Sequence, residues 1–313
     1  MSRVAISQLS PHQLGDVSRL CEQELTLDRC AGSIPRIVTR RPYLGLAAVQ
    51  ESSTVGACIG SIAEVGDEDS EGFMDLLVVD RAHQRRGIGR QLAAEMERQL
   101  AARGCQRINV SGTGPNYAWP GVDIHYTAAV CFVEDSGYER QGCEVNMDID
   151  LLCAQLDTRT SEERLASEGV EVRRADGDDD GPLQDSLGSV WQSSWISELT
   201  EVLRSGEGGV YVAVRDTRYI AFCAYGLNRL HEVGPIGTHP DLRRLGIGSV
   251  LLKRCLAEQR DRGVVAAELV WAGPLSYFAR AVHATIGRAF WLYSKDLSGA
   301  GRVADWRDRV GLL

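Results

Sequence analysis

At 313 residues, 44% of them apolar and 25% charged, the chain is about twice the length of a typical domain and lies outside the disordered and fibrous classes. A formal charge of −9 and a pI near 5.3 exclude wholesale binding to nucleic acid or anionic membrane, so any anion site must be local. Nine cysteines without a Cys-x-x-Cys pair, no apolar run of about 18 residues and no leader-like start point to reduced, mostly buried thiols in a cytoplasmic chain.

Val4 to Ile6 reads as a first strand, and Leu14, Val17, Leu20, Cys21 and Leu25 follow at helical spacing. Tyr43 to Val49 and Val55 to Ile62 form a hairpin around Glu51-Ser52-Ser53, and the acidic stretch Gly66 to Glu71 is expected as a loop. Phe73 to Val79 is the next strand. A glycine turn then opens a helix whose Ile88, Leu92, Met96 and Leu100 make one apolar stripe, closed at Arg103-Gly104. Ile108 to Val110 is a strand, and an ordered loop rich in turn formers and aromatics runs from Gly112 to Tyr126. A helix from Thr127 to Asp135 and two strands, Tyr138 to Gln141 and Val145 to Ile149, complete the first half.

The second half repeats this order. Val170 to Val172 is a strand, and one helix starting at Pro182 carries Leu187, Val190, Trp191, Trp195 and Leu199. Val210 to Val214 and Tyr219 to Tyr225 form a hairpin, and Val233 to Thr238 precedes a second glycine turn. The following helix ends at Arg262-Gly263, before a strand at Ala267 to Trp271. Gln84 and Arg243 lie 159 positions apart, as do Arg103-Gly104 and Arg262-Gly263, so the turn and its helix have the same length in both halves. Duplication explains this better than chance.

Each turn has the composition of an anion-binding helix start, where N–H groups lack intrahelical partners and glycine lets an anion approach the backbone. Neither continues into the Lys-Ser/Thr of a P-loop, and Gly87-Ile88-Gly89 lacks the third glycine of a dinucleotide fingerprint. Asp176 to Gly181 opens like a calcium loop, but Leu187 stands where the bidentate Glu belongs, so no metal site is expected.

The motif Gln84-Arg85-Arg86-Gly87-Ile88-Gly89 and its echo Arg243-Arg244-Leu245-Gly246-Ile247-Gly248 resemble the signature of the GNAT superfamily of N-acetyltransferases. That signature is Gln or Arg, two residues, Gly, any residue, then Gly or Ala, between a strand and a helix. A family-typical proline precedes the second motif (Thr238-His239-Pro240) but not the first (Val79-Asp80-Arg81). The resemblance implies an α/β (α+β) fold of two tandem GNAT modules, each a mixed, mostly antiparallel sheet flanked by helices with a splayed central strand pair. The expected modules are 1–155 and 169–313, joined by a linker over 156–168.

It further implies acetyl-CoA, or another acyl-CoA, as cofactor, with the pyrophosphate on the turn and the pantetheine arm along the preceding strand. Carried over by position, the first site comprises Leu77, Val79, Gln84, Arg85, Arg86, Gly87, Ile88, Gly89 and Arg90. The second comprises Ile236, Thr238, Arg243, Arg244, Leu245, Gly246, Ile247, Gly248 and Ser249.

Acyl transfer to an amine needs a base for the amine, a donor to the thioester carbonyl and often an acid for the leaving thiolate. The family's acid tyrosine position falls on Val133 and Phe278, so neither half has it in place, although Tyr277 adjoins Phe278. Glu232 matches a position where some members carry a basic Glu. The first half has Phe73 there, with Asp75 two residues on, and His231 is expected to point away from Glu232. The first half also holds about 14 extra residues around Asn116 to Tyr126, where Trp119, His125 and Tyr126 could line an acceptor pocket or form a lid or packing segment.

The resulting expectation is direct acyl transfer to a small-molecule amine, with Glu232 and Tyr277 as catalytic residues. The second module is catalytic and the first holds acyl-CoA mainly as a structural part, in a monomer or homodimer. A non-catalytic acyl-CoA-binding or docking protein and a protein lysine acetyltransferase are the alternatives.

Overall fold

The computed structural model describes residues 3–65, 69–112, 118–188, 190–191 and 193–298. One unit takes the chain up to Glu144 and regains it from Ala289; the other is Val145–Arg288.

The first unit contains β1 (Ala5–Gln8), α1 (Leu14–Glu24), α2 (Ile34–Val38), β2 (Leu44–Gln50), β3 (Ser53–Val65) and β4 (Asp69–Val79). It continues through α3 (Ile88–Ala101), β5 (Arg107–Val110), β6 (Val122–Asp123) and α4 (Thr127–Asp135) into β7 (Glu139–Asp150). Strands β1 to β4 pair antiparallel in sequence order, and β4 then pairs parallel with β5. The two-residue alternation of a strand sends Cys58 to one face of the sheet and Ala57 and Ile59 to the other. On the first face Ile88, Leu92, Met96 and Leu100 of α3 pack with Val130 and Val133 of α4; on the second, Val17, Leu20 and Cys21 of α1 meet Ile34 and Val38 of α2.

The second unit contains α5 (Arg159–Ser167), β8 (Glu171–Arg174), α6 (Asp180–Leu187), α7 (Ser193–Ser205), β9 (Gly209–Arg215), β10 (Arg218–Tyr225) and β11 (Glu232–Thr238). There follow α8 (Ile247–Asp261), β12 (Ala266–Leu269), α9 (Leu275–Val282) and β13 (Thr285–Asp296). Its sheet runs β8-β9-β10-β11 antiparallel, then β12 parallel to β11. Tyr211 and Ala213 face α8 and α9, while Val210 and Val212 face α6 and α7.

Each sheet is closed by an exchanged strand. β5 is paired not by β7, the next long strand in the chain, but by β13, in register Tyr293↔Val110 to Asp296↔Arg107. β12 is paired by β7, in register Ala266↔Asp150 to Leu269↔Met147. The observed division therefore differs from 1–155 and 169–313: the crossing points fall inside β7 and β13, and unit one is completed by the second part of β13.

Four further expectations change. The segment expected as linker, 156–168, holds α5, because Leu156 and Leu165 are buried in the second unit's core. The two strands expected over 138–149 are one, β7. The single helix from Pro182 is split into α6 and α7 at Gly188, whose N–H closes α6 on the Gln184 carbonyl. Asp69 to Glu71, expected in a loop, belong to β4, where buried Glu71 accepts a 2.8 Å hydrogen bond from Asn109 of β5; residues 66–68 lie outside the described residues. Among the described residues no helix is long and apolar enough to cross a membrane.

Candidate active site

The two glycine turns adopt one backbone conformation. Arg85 and Gly87 have φ of +59° and +81°, and Arg244 and Gly246 have +70° and +81°. Left-handed residues at alternate positions gather backbone N–H groups on one concave side, the geometry of an anion nest. Gly87 and Gly246 cap α3 and α8, so the amides of Ile88, Gly89 and Arg90, and of Ile247, Gly248 and Ser249, belong to helix first turns that leave N–H groups unpaired within the helix. Ile88 and Ile247 are buried, which pins each helix start to its core.

The first residue of each motif holds the turn to its strand. Gln84 Nε2 donates to the Val79 carbonyl at 2.9 Å, and Arg243 Nε to the Thr238 carbonyl at 3.4 Å. At the first turn Glu24, closing α1, accepts from the Arg81 amide at 3.0 Å and from Gln84 Nε2 at 3.3 Å.

The strand before each turn is open on one side. Among the described residues β4 pairs with β5 only at Gly72↔Ile108 and Phe73↔Asn109, then runs on through Leu77 and Val79 to the turn. β11 pairs with β12 only at Glu232↔Glu268 and Val233↔Leu269 before running on through Ile236 and Thr238. Register shifts bend both strands as they leave: Asp75 is the extra residue in β4, and β11 shifts between Val233 and Ile236. Each module thus presents an unpaired strand edge leading into an anion-binding helix start.

The sites differ where a side chain backs the second glycine. A Cβ at Gly248 would lie 3.0 Å from the Tyr277 hydroxyl and 3.1 Å from Thr238 Oγ1, whereas one at Gly89 would lie 3.5 Å from the Phe132 ring. Tyr277 and Phe132 are therefore counterparts. Val133 and Phe278, at the expected acid position, are buried in the cores instead. The Tyr277 hydroxyl is buried and has no hydrogen-bond partner among the described residues. Burial, with the nearby Cys223 thiol, raises its pKa, so it remains a neutral hydroxyl that can donate.

Glu232 lies at the opposite end of β11, six residues from Thr238, a strand distance of roughly 20 Å. Its carboxylate is ion-paired with Arg229, both side chains being 7% exposed. His231 precedes the strand in a turn, so strand alternation does not govern it. Its Nε2 is 3.7 Å from Glu268 Oε2, and ligand atoms of His231, Glu232 and Glu268 lie within 4.8 Å of one another. These carboxylates are met by protein donors: Arg229 on Glu232, and Asn146 Nδ2 on Glu268 at 2.6 Å. Burial opposes the charge of Glu268, but His231 and Asn146 outweigh it and keep its pKa below the ordinary value.

The extra residues of the first half are held to the stretch after α1. Trp119 Nε1 and the Tyr126 hydroxyl each donate to Asp28 at 2.7 Å, and the Leu27 amide donates to the Tyr126 oxygen at 3.0 Å. His125, more than half exposed, has Nδ1 2.8 Å from buried Asp123. Asn116 falls outside the described residues. Sequence reasoning missed Arg229, Phe132 and Glu24, since only the fold brings them to their partners.

Two modules, each with a parallel strand pair that splays before an anion nest at a helix start, define a tandem α/β protein with two like anion-binding turns. Consistent with that class, the model of the acetyltransferase (GNAT) family matches residues 14–118 and 180–287, more than half the chain. The chain belongs to the GNAT family of acetyltransferases, a family that uses acetyl-CoA.

Solved structures share the fold at low identity. The tandem GNAT protein from the clavulanic acid biosynthesis pathway is similar over 96% of this chain and 100% of its own, with 14% identity and a TM-score of 0.70. A GCN5-related glucosamine N-acetyltransferase region in a fungal multi-domain GH3 β-N-acetylglucosaminidase is similar over 94% of this chain, with 17% identity and a TM-score of 0.77; this chain spans 38% of that one. A GCN5-related N-acetyltransferase from Sphaerobacter thermophilus is similar over 96% of this chain and 98% of its own, with 16% identity and a TM-score of 0.63. Among curated protein sequences no relative matches.

Proposed function

We propose that the chain transfers an acyl group from acyl-CoA, acetyl-CoA in the first instance, to the amine of a small molecule. In this reading the second module carries the transfer and the first holds acyl-CoA mainly as a structural part. The observation that carries it is the contrast between Tyr277 and Phe132: two like turns, but a hydroxyl behind the second glycine in the second module alone.

The residues suit such a ligand. Helix-start amides receive a diphosphate, the open edges at Leu77 to Val79 and Ile236 to Thr238 offer main-chain groups to an amide-bearing arm, and Gly248 leaves the space that a Cβ would fill beside Tyr277. When bound, the cofactor supplies an activated acyl thioester. Tyr277 holds a proton at Oη for the departing sulfur. Glu232, at the far end of β11 from Tyr277 and held by Arg229, is the base assigned to the amine, whose proton reaches it by relay and not by direct contact.

The test is release of free coenzyme A from acetyl-CoA across a panel of small amines. Gly248→Trp abolishes turnover, while Gly89→Trp, closing the first turn, lowers bound coenzyme A by one per chain and leaves transfer in place. Turnover surviving Gly248→Trp and lost in Gly89→Trp overturns the assignment of modules.

A further inference from the structure

We propose that Arg164, on α5, is a phosphate-contacting residue of the second turn. The proposal rests on reading that turn as the seat of the acyl-CoA diphosphate, and it extends the site to a helix that the sequence places between the two modules.

Arg164 Nη2 donates to the Leu245 carbonyl at 2.6 Å, and a Cβ at Gly246 would lie 3.4 Å from the same nitrogen. The guanidinium therefore lies against the turn. Its position is fixed from below, since neighbouring Leu165 is fully buried in the core that α8 also enters. Nη1 donates to Glu168 at 2.6 Å. A guanidinium has five N–H donors, so three remain for an incoming oxyanion in a planar array suited to phosphate.

The register between the halves shows what this cation adds. Leu245 occupies the place that Arg86 has in the first turn, so the second turn has an aliphatic side chain where the first has a charge. Arg164 brings a guanidinium to the main chain of that same residue from a different element. Glu168 shares the Arg164 charge across solvent, the two side chains being 47% and 40% exposed, so it competes with a phosphate and does not cage the cation. A diphosphate carries more charge than one carboxylate and offers more acceptor oxygens, which favours exchange of partner on binding.

Binding is measured by calorimetry on the full chain in a Gly89→Trp background, which closes the first turn, with coenzyme A and with pantetheine, which lacks every phosphate. Arg164→Ala is expected to weaken coenzyme A about five- to tenfold, to flatten the salt dependence and to leave pantetheine binding unchanged. Glu168→Gln, which frees the guanidinium, is expected to tighten coenzyme A. If Gly89→Trp does not fold, native mass spectrometry of the parent replaces it, and Arg164→Ala then depletes the doubly loaded species. Unchanged coenzyme A affinity or an undepleted doubly loaded species in Arg164→Ala, or an equal loss for pantetheine, overturns the role of Arg164. A parent chain that binds no coenzyme A overturns the acyl-CoA reading itself, which is a separate outcome.

Discussion

Among single residues, Gly248 and Tyr277 constrain each other at the second turn. Any side chain at 248 pushes the Tyr277 hydroxyl and Thr238, so Gly248→Ala is expected to lower acyl-CoA affinity by about tenfold or more, as read by calorimetry, with little loss of thermal stability. Tyr277→Phe keeps the ring and removes only Oη. A loss confined to kcat, with coenzyme A affinity intact, identifies a proton donor; a loss confined to affinity identifies an anchoring hydroxyl. Glu232 needs a control, because truncating it takes one carboxylate from the buried Arg229 guanidinium and so costs stability as well as any catalytic role. The double variant Glu232→Met, Arg229→Met recovers most of that stability, so activity absent from both the single and the double variant belongs to the carboxylate.

The thiols divide as plainly. Cys21, Cys58, Cys105, Cys223 and Cys255 are buried, and burial with nearby Asp28 and Glu22 raises the Cys21 pKa to about 12. Cys30, Cys131, Cys143 and Cys153 are exposed. A thiol reagent is expected to label these four on the native chain and all nine after unfolding.

At the scale of elements, α5 decides whether the segment between the modules is a tether or a structural part. Leu165→Ala is expected to destabilise the second unit by about 2–5 kcal/mol, as for any fully buried leucine, and a change below about 0.5 kcal/mol in denaturant unfolding contradicts its place in the core. Beyond β8, Asp179 binds Arg173 and Tyr219, and the Arg173 guanidinium holds its carboxyl well below the usual carboxylate range despite partial burial. A depressed folded pKa stabilises above the unfolded value near 4 and is lost as pH falls through the folded value. Asp179→Asn therefore lowers Tm at pH 7, and the difference from the parent narrows below about pH 3.

Elements with strong periodicity were legible in the sequence. The stripe of α3, the span of α4 and both glycine turns required no partner to be recognised, because their signals are local. The break between α6 and α7 and the helix over 159–167 were not legible, since one depends on a single glycine closing a turn and the other on one leucine meeting a distant core. Tyr277 was legible only as a neighbour of the expected position, because which of two adjacent helix residues faces the turn is fixed by how α9 packs.

For the whole molecule, the exchange of β7 and β13 governs how the chain can be divided. A fragment ending at 155 lacks Phe290, Leu292 and Tyr293, all at most 2% exposed, and burial of such side chains is worth about 1.5–3 kcal/mol each against a typical total of 5–15 kcal/mol. It also loses the 2.8 Å ion pair from Lys295 to Glu97 and the Tyr293 hydroxyl bond to Glu134 at 2.7 Å. Fragment 1–155 is expected to show no cooperative thermal transition, whereas 1–155 and 156–313 expressed together are expected to co-purify and recover one. A cooperative transition in 1–155 alone contradicts a closing role for β13.

The same exchange sets an order of events during synthesis. Domains ordinarily fold as they leave the ribosome, the first-made part first. Here the half made first waits with one edge of β5 uncovered until Ala289 to Asp296 emerge, so that edge is offered to other chains through the whole synthesis of the second half. Slow elongation through the second half is expected to lengthen that exposure, and a chaperone that shields strand edges is expected to raise the folded yield.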